Sequence, residues 1–202
     1  MHRTVFNTPV LKYILRGLSL FLLKIFGWKA VGQLPAESKF VLIFAWHTSN
    51  WDVFYGVLVA FALKLETVIL AKKELFRQPF APLIKWLGCI PIKRKGSHNS
   101  VNQMIQKFNE NERFVLAISP EGTRRKVQYW KSGFYHIAQG ARVPVLLTFL
   151  DYEQKKGGAG PLMYLTGNTD RDMQAIRDFY ATVKGKYHDQ TSMAAIRPEQ
   201  ML

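Results

Sequence analysis

The chain is poor in the features that mark secreted or membrane-spanning proteins. It has a single cysteine, Cys89, among 202 residues, which excludes a framework of internal disulfides and suits a reducing compartment. Its most apolar stretch, residues 9–28, is interrupted by Lys12, Arg16 and Lys24, so it contains no clean run of the ~20 residues that a membrane-spanning helix needs. No convincing small-residue cleavage site follows this stretch, so we do not expect a cleaved signal peptide.

The chain also lacks the motifs of several common enzyme classes. There is no G-x-S-x-G sequence, so a serine-hydrolase arrangement has no visible nucleophile. The histidines show no H-E-x-x-H or other metal-ligand spacing, and neither type of glycine-rich phosphate loop is present. We therefore predict no metal site and no bound cofactor.

Acidic residues are scarce. The 14 Asp and Glu against 28 Lys and Arg give a net charge of +14 and a pI of about 10.0. Such an excess favours a polyanionic partner, which can be an anionic lipid surface, a phosphorylated substrate or nucleic acid. The basic residues are scattered and do not form a recognisable binding motif with stacking aromatics, so we predict no nucleic-acid partner.

Residues 9–28 have the pattern of an amphipathic helix. Lys12, Arg16 and Lys24 gather on one side of a helical wheel, with leucines and isoleucines largely opposite. Basic residues on one face and bulky apolar residues on the other are typical of helices that lie in a membrane interface. We predict that residues 1–30 form an amphipathic, membrane-associating segment; the alternative is that the helix packs on the rest of the domain.

Beyond residue 30, strand and helix patterns alternate along the chain. The predicted strands are 39–45, 67–71, 89–93, 113–118, 143–150 and a short late strand at 162–166. The predicted helices are 51–65, 73–87 with an interruption near two prolines, 99–109, 132–139 and 171–183, and the glycine-rich segment 155–161 is predicted to be a turn or mobile loop. This alternation predicts an α/β fold with one domain, in which a mainly parallel sheet is flanked by helices.

The sequence H-T-S-N-W-D at residues 47–52 stands at the first junction of a strand and a helix. Loops at such junctions commonly form the sites of α/β folds. A separation of five residues is not a same-face spacing within a helix, so we expect His47 in the loop and Asp52 in the first helical turn, with Ser49 or Asn50 as the N-cap. Asp52 can then accept from one ring nitrogen of His47 and leave the other nitrogen free as a base.

Two further loops are expected at the same edge of the sheet, and both are basic. The loop K-R-K-G contains Arg94, and the loop S-P-E-G-T-R-R-K contains Glu121, Gly122 and Arg124. Gly122 permits a tight turn, the two arginines can present planar forks to a phosphate, and Glu121 is expected to pair with an arginine or bind a hydroxyl. A base without an enzyme nucleophile indicates that a substrate hydroxyl is activated for a direct transfer.

Four ordered blocks between residues 40 and 150 resemble the glycerolipid acyltransferases, the family typified by 1-acylglycerol-3-phosphate acyltransferase. The H-T-S-N-W-D block matches the family's H-x-x-x-x-D motif, and S-P-E-G-T-R-R at 119–125 resembles F-P-E-G-T-R-S. G-C-I-P-I-K-R at 88–94 resembles the G-x-x-F-I-x-R block, and V-P-V-L-L-T at 143–148 resembles V-P-V-x-P-V.

The resemblance implies that residues 31–202 form an acyltransferase domain with a glycerol-3-phosphate acyltransferase-like fold. The implied reaction moves a fatty acyl group from acyl-CoA or acyl carrier protein, as a co-substrate, to the free hydroxyl of a lysophospholipid-like acceptor in phospholipid biosynthesis. His47 would be the general base and Asp52 its orienting carboxylate. The residues expected to hold the phosphate and glycerol part of the acceptor are Arg94, Glu121, Gly122, Thr123 and Arg124.

The expected location is peripheral, on the cytoplasmic face of the inner (plasma) membrane, with the anionic membrane surface as a partner. A protein of another class stays open as the alternative. A non-catalytic peripheral lipid-binding protein would share the basic amphipathic segment at residues 1–30, but it would not require the pair of His47 and Asp52.

Overall fold

A seven-stranded sheet organises the part of the chain that the computed structural model describes, residues 4–92 and 97–197. The strands are β1 (Lys29–Val31), β2 (Lys39–Phe44), β3 (Val68–Lys72), β4 (Cys89–Ile92), β5 (Phe114–Ile118), β6 (Val145–Asp151) and β7 (Lys156–Met163). The helices are α1 (Leu11–Ile25), α2 (Trp51–Ala62), α3 (Ala81–Trp86), α4 (Ser97–Glu110), α5 (Gly133–Ala141) and α6 (Thr169–Ala181), with 3₁₀ turns at Lys73–Phe76 and His188–Gln190.

The strand order is β1-β7-β6-β2-β5-β3-β4, and every neighbouring pair is parallel except β6 and β7. The prediction of an α/β domain with a mainly parallel sheet flanked by helices is confirmed. Strand β2 lies at the centre, between β5 and β6. The carboxyl ends of β6, β2 and β5 therefore lie side by side at one edge of the sheet.

Helices cover both faces of the sheet, which explains why β2 is almost continuously apolar. Val41 and Ile43 belong to a buried cluster that includes side chains of α4, α5 and α6. Phe40 and Leu42 alternate with them and belong to a second cluster, which includes side chains of α2 and α1. The sheet is thus buried on both sides, and its loops carry the polar chemistry.

The prediction of a turn or mobile loop at residues 155–161 is wrong. Most of this segment belongs to β7, which pairs with β6 on one side and β1 on the other. A Cβ atom at Gly158 would lie 1.8 Å from the carbonyl oxygen of Val31, and one at Gly160 would lie 2.5 Å from the Phe179 ring. These glycines therefore permit close approach of neighbouring elements within a sheet, a role that glycine also has in strands.

Other predicted boundaries also need correction. Strand β1 was not predicted, because a three-residue strand carries too short a pattern. Helix α2 ends at Ala62, and Lys64 then adopts a left-handed φ of 59°. Asn50 occupies the N-cap position but its side chain makes no capping bond, whereas Oγ of Ser49 accepts from the Trp51 N–H at 3.2 Å.

Helix α1 packs on the domain with only part of its surface. Ser19 and Leu23 are buried, and Nε of Arg16 donates to the Ala62 carbonyl at the end of α2 at 3.2 Å. Four of its exposed side chains, at helical spacing, form an apolar stripe along the helix: Ile14, Leu18, Phe21 and Ile25. None of the helices within the described residues is both long and apolar enough to cross a bilayer.

Candidate active site

His47 and Asp52 lie together where β2 ends and α2 begins, as their spacing predicts. Nδ1 of His47 is 3.3 Å from Oδ2 of Asp52. The two atoms are at ion-pair distance, but Nδ1 makes no hydrogen bond within the described residues. Because Nδ1 is buried against Asp52 while the ring is 16% exposed, Nε2 is the nitrogen on the open side.

Asp52 is a fully buried carboxylate surrounded by hydrogen-bond donors. Its Oδ2 accepts from the backbone N–H groups of Thr48 and Ser49, each at 2.7 Å, and its Oδ1 accepts from the Tyr152 hydroxyl at 2.6 Å. Burial alone would raise the pKa of Asp52, but the His47 ring, the Tyr152 hydroxyl and the two N–H groups outweigh burial and lower this pKa below its ordinary value. The group beside His47 is therefore an anion with a fixed orientation.

Glu121 reaches the same site from the loop after β5. Its Oε2 accepts from the backbone N–H of His47 at 2.6 Å, and its side chain is buried. Burial raises the pKa of Glu121, although the bond from His47 and the nearby Ser192 hydroxyl oppose the rise. Throughout residues 4–92 and 97–197 no arginine forms an ion pair with this carboxylate. The structure therefore places Glu121 beneath His47, and its predicted contact with substrate stays a prediction.

The turn after Glu121 presents positive charge at the surface. Gly122 has a left-handed φ of 64°, and its N–H closes the turn onto the Ser119 carbonyl at 3.1 Å. Thr123 is half-buried and the Arg124 side chain is exposed. A Cβ atom at Gly122 would lie 2.6 Å from Nζ of Lys131, so the ammonium group of Lys131 lies across this glycine. Lys131 was missed by the sequence patterns.

Of the three loops predicted to converge, the structure brings two together. The loops after β2 and β5 meet because these strands are adjacent and parallel. Arg94 belongs to the third loop and lies outside the described residues. Its strand, β4, is at the edge of the sheet, three positions from β2. The predicted role of Arg94 in phosphate binding therefore stays a prediction.

The segment after α6, residues 182–190, connects the two loops, and the sequence patterns did not predict these contacts. With its amide oriented as its neighbours require, Gln190 donates to the carbonyls of Arg124 at 2.8 Å and Thr48 at 3.3 Å. The Tyr187 N–H donates to Oγ1 of Thr48 at 3.3 Å. Nζ of Lys186 lies 5.1 Å from the ring centroid of Trp51, which adds a cation at the start of α2. This segment therefore holds both loops in one arrangement.

The arrangement suits proton removal from a bound hydroxyl. An oriented imidazole has one nitrogen on the open side, a buried anion stabilises its protonated form, and exposed cations lie on the neighbouring turn. Within the described residues, no group of three or more His, Cys, Asp or Glu side chains is arranged to hold a metal ion. Fold and site together define an α/β protein with a histidine–carboxylate pair at the carboxyl edge of its sheet.

Comparison with known proteins assigns this chain to a family. The family model described as Acyltransferase matches residues 30–147, which is more than half of the 202 residues. The matched region contains both loops of the site. The chain therefore belongs to the Acyltransferase family.

Individual relatives share part of their length with this chain. It is 29% identical over 132 residues to the 1-acyl-sn-glycerol-3-phosphate acyltransferase of Haemophilus influenzae, covering 60% of this chain and 53% of the relative. It is 30% identical over 132 residues to the enzyme of the same name from Salmonella typhimurium, covering 60% and 52%. This chain thus spans about half the length of these relatives.

One solved structure gives a similar match. It is the 1-acyl-sn-glycerophosphate (LPA) acyltransferase PlsC from Thermotoga maritima, with 22% sequence identity and a TM-score of 0.47. The match covers 68% of this chain and 56% of that chain.

Proposed function

We propose that this protein is an O-acyltransferase. It moves a fatty acyl group from the thioester of acyl-CoA or acyl carrier protein to the free hydroxyl of a lysophospholipid-like acceptor such as 1-acylglycerol-3-phosphate. The observation that carries the proposal is the buried Asp52 beside His47, with the basic turn after Glu121 on the adjacent strand. Family membership and the names of the relatives support the same reaction.

In the proposed mechanism, His47 acts as a general base in a direct transfer. Nε2 takes the proton of the acceptor hydroxyl while its oxygen attacks the thioester carbonyl, and the new C–O bond forms. Asp52 stabilises the imidazolium and keeps the ring oriented. The C–S bond then breaks, and the imidazolium returns the proton to the departing thiolate. Because a thiolate is a good leaving group, the reaction needs no strong additional acid.

The cations near the turn are proposed to bind the acceptor phosphate. The guanidinium of Arg124 is exposed, and the ammonium of Lys131 lies across Gly122. An arginine fork can bind two phosphate oxygens together, while a lysine acts as a point charge. The roles assigned to Thr123 and Arg94 extend this proposal, with Thr123 on the same turn and Arg94 on the loop after β4. Glu121 supports the site by fixing the backbone of His47.

The exposed stripe of α1 supports a peripheral membrane location. If α1 served only to pack on the domain, its apolar residues would face the core, but Ile14, Leu18, Phe21 and Ile25 face outward. Such a stripe can enter the interfacial region of a bilayer, and the net charge of +14 favours an anionic surface. We place the protein on the cytoplasmic face of the inner membrane, where its donor and acceptor would meet.

A panel of lysolipids tests the function directly. The purified protein is incubated with acyl-CoA and lysolipids that differ in head group, and thiol release and acylated products are both measured. We expect thiol release that depends on the acceptor, with a diacyl product from a phosphate-bearing lysolipid. For the variant His47→Ala, the matched control is His188→Ala. It removes an exposed histidine whose backbone, and not its ring, makes the hydrogen bonds of its turn.

The same panel separates the alternative from the proposal. A non-catalytic lipid-binding protein would bind vesicles through α1 but would release no thiol with any acceptor or donor carrier. Absence of transfer to every lysolipid, with acyl carrier protein tested as donor as well, would refute the enzymatic proposal.

Membrane binding has its own test, in which Phe21 and Ile25 are both replaced by glutamine. Fully burying a large apolar side chain contributes about 1.5–3 kcal/mol, and these two are 59% and 60% exposed. Their loss should therefore weaken partition into anionic vesicles roughly 20-fold or more, since each 1.4 kcal/mol is about tenfold. Tyr164→Gln removes a similarly exposed ring that follows β7 and is not part of α1, so it should have little effect. Equal partition of all three proteins would contradict the membrane role of α1.

A further inference from the structure

The two oxygens of the Asp52 carboxylate are held in different ways. Oδ2 takes its donors from the local loop, namely the N–H groups of Thr48 and Ser49, and it is the oxygen that faces His47. Among the described residues, Oδ1 has one donor, the hydroxyl of Tyr152 at 2.6 Å, which is 100 residues away in the chain. Tyr152 is therefore the long-range contact that fixes the rotation of this buried carboxylate.

Tyr152 is itself held firmly. It directly follows β6, which lies beside β2 in the sheet, and its N–H donates to the Lys184 carbonyl at 2.9 Å. Its ring meets Trp28 edge to face at a centroid distance of 4.9 Å and Tyr55 at 6.0 Å. Burial and the adjacent Asp52 raise the pKa of Tyr152, so its hydroxyl stays protonated and continues to donate.

The geometry points to Tyr152 as a positioning residue for the His47–Asp52 pair. It acts by donating to Oδ1 so that Oδ2 stays aimed at Nδ1 of His47. This inference rests on the proposed function, in which His47 is the base, and it adds a residue that lies beyond the region matched by the family model. As a positioning residue, Tyr152 is proposed to act through Asp52 and not by contact with a substrate.

The hydrogen bond has a predictable effect on proton affinity. A hydroxyl that donates to a carboxylate disperses its negative charge, so without this bond the pair of His47 and Asp52 holds a proton more tightly. The other titratable groups around the pair are Glu121 from the loop after β5, Tyr55 on α2, and Lys186 and Tyr187 on the segment after α6. The substitution Tyr152→Phe leaves all of them in place.

The test compares the native protein with Tyr152→Phe, which keeps the ring packed on Trp28 but loses the hydroxyl. We expect kcat to fall between ~10-fold and ~100-fold, the range for losing a hydrogen bond to a charged group, while KM for donor and acceptor changes less than about twofold because no substrate contact is lost. The acid limb of the pH profile of kcat/KM should move to higher pH. Tyr55→Phe is the matched control, since it removes a hydroxyl from the same aromatic cluster and should change neither quantity.

A second measurement does not depend on turnover. Nitrogen-15 NMR of labelled histidines, with the His47 signals identified by their loss in His47→Ala, follows protonation of the ring directly. In Tyr152→Phe the ring should protonate at higher pH than in the native protein or in Tyr55→Phe. If the native protein transfers no acyl group but this shift is present, the proposed function fails and the coupling of Tyr152 to the pair stands.

Two results would overturn the inference. An unchanged titration of His47 in Tyr152→Phe would show that the hydroxyl does not act on the pair. A loss of activity that is proportional at all pH values and accompanied by a lower Tm would show that Tyr152 contributes only to packing.

Discussion

Replacing Asp52 by asparagine separates the charge of this residue from its hydrogen bonds. In Asp52→Asn, the amide oxygen can accept from the Thr48 and Ser49 N–H groups in place of Oδ2, and the amide nitrogen can donate to the Tyr152 hydroxyl, which accepts as well as donates. The fold therefore keeps its local contacts, and we expect the variant to stay folded near neutral pH with a free energy of unfolding lower by about 1–2 kcal/mol, because the stabilising effect of the ionised carboxylate is lost. What is lost is the negative charge beside His47.

The size of that loss follows from the distance between the two groups. Unit charges 3.3 Å apart interact by about 5 kcal/mol at an effective dielectric constant of about 20. If the imidazolium is largely formed in the transition state, kcat should fall ~10³-fold to 10⁴-fold. The assay is acceptor-dependent thiol release from acyl-CoA, with Tm measured on the same samples.

Asp172→Asn provides the matched control for this experiment. Asp172 is also buried and also accepts from a tyrosine hydroxyl, that of Tyr135 at 2.8 Å, but it lies on α6 away from the pair. Its replacement should leave kcat within about twofold for the protein that remains folded. A kcat of Asp52→Asn within tenfold of the native value would refute the electrostatic role of Asp52.

Three further predictions concern binding, packing and pH. Arg124→Ala should raise KM for a phosphorylated acceptor roughly tenfold or more by removing a charge-assisted contact. Arg113→Ala removes the same charge at the opposite end of β5 and should leave this KM unchanged. Equal KM values for the two variants would show that Arg124 is not part of the phosphate site. Gly158→Ala should lower the free energy of unfolding by about 3 kcal/mol, because its Cβ would meet a carbonyl oxygen of β1 at 1.8 Å. Gly17→Ala has open space around it in α1 and should raise this free energy by about 0.5–1 kcal/mol. Denaturant titration measures both changes. Because the pKa of Asp52 is lower in the folded state, its ionised carboxylate stabilises the fold fully at pH values above the ordinary aspartate pKa of about 3.9. This stabilisation is lost as pH falls through the lower folded-state pKa. Asp52→Asn should therefore flatten the acid-side decrease in Tm, and an unchanged acid profile would contradict the lowered pKa.

The sequence was sufficient to predict the centre of the site because the relevant constraints are local. An apolar run that ends at Phe44 and a helix that starts at Trp51 leave His47 on the loop and Asp52 in the first turn. The five-residue spacing then requires the loop to fold back on the helix, as it does. The approach of the Glu121 loop to the His47 loop could also be predicted, because loops after adjacent parallel strands lie at the same edge of the sheet.

The missed contacts depend on which strands are neighbours, and no local pattern carries that information. Tyr152 reaches Asp52 because β6 lies beside β2, although 100 residues separate them. The bond from the His47 N–H to Glu121 likewise needs the pairing of β2 with β5. The glycines of β7 were predicted to form a turn because glycine is enriched both in turns and in strands that neighbouring elements approach closely. Only the positions of those neighbours distinguish the two cases.

The most direct test of the account is single-turnover acyl transfer by His47→Ala. With enzyme in excess over acyl-CoA and with 1-acylglycerol-3-phosphate as acceptor, formation of the diacyl product is followed in the native protein and the variant. We expect product from the native protein, a transfer step ~10²-fold to 10⁴-fold slower in His47→Ala, and an unchanged Tm. Transfer at the native rate by His47→Ala would contradict the central claim that His47 is the base.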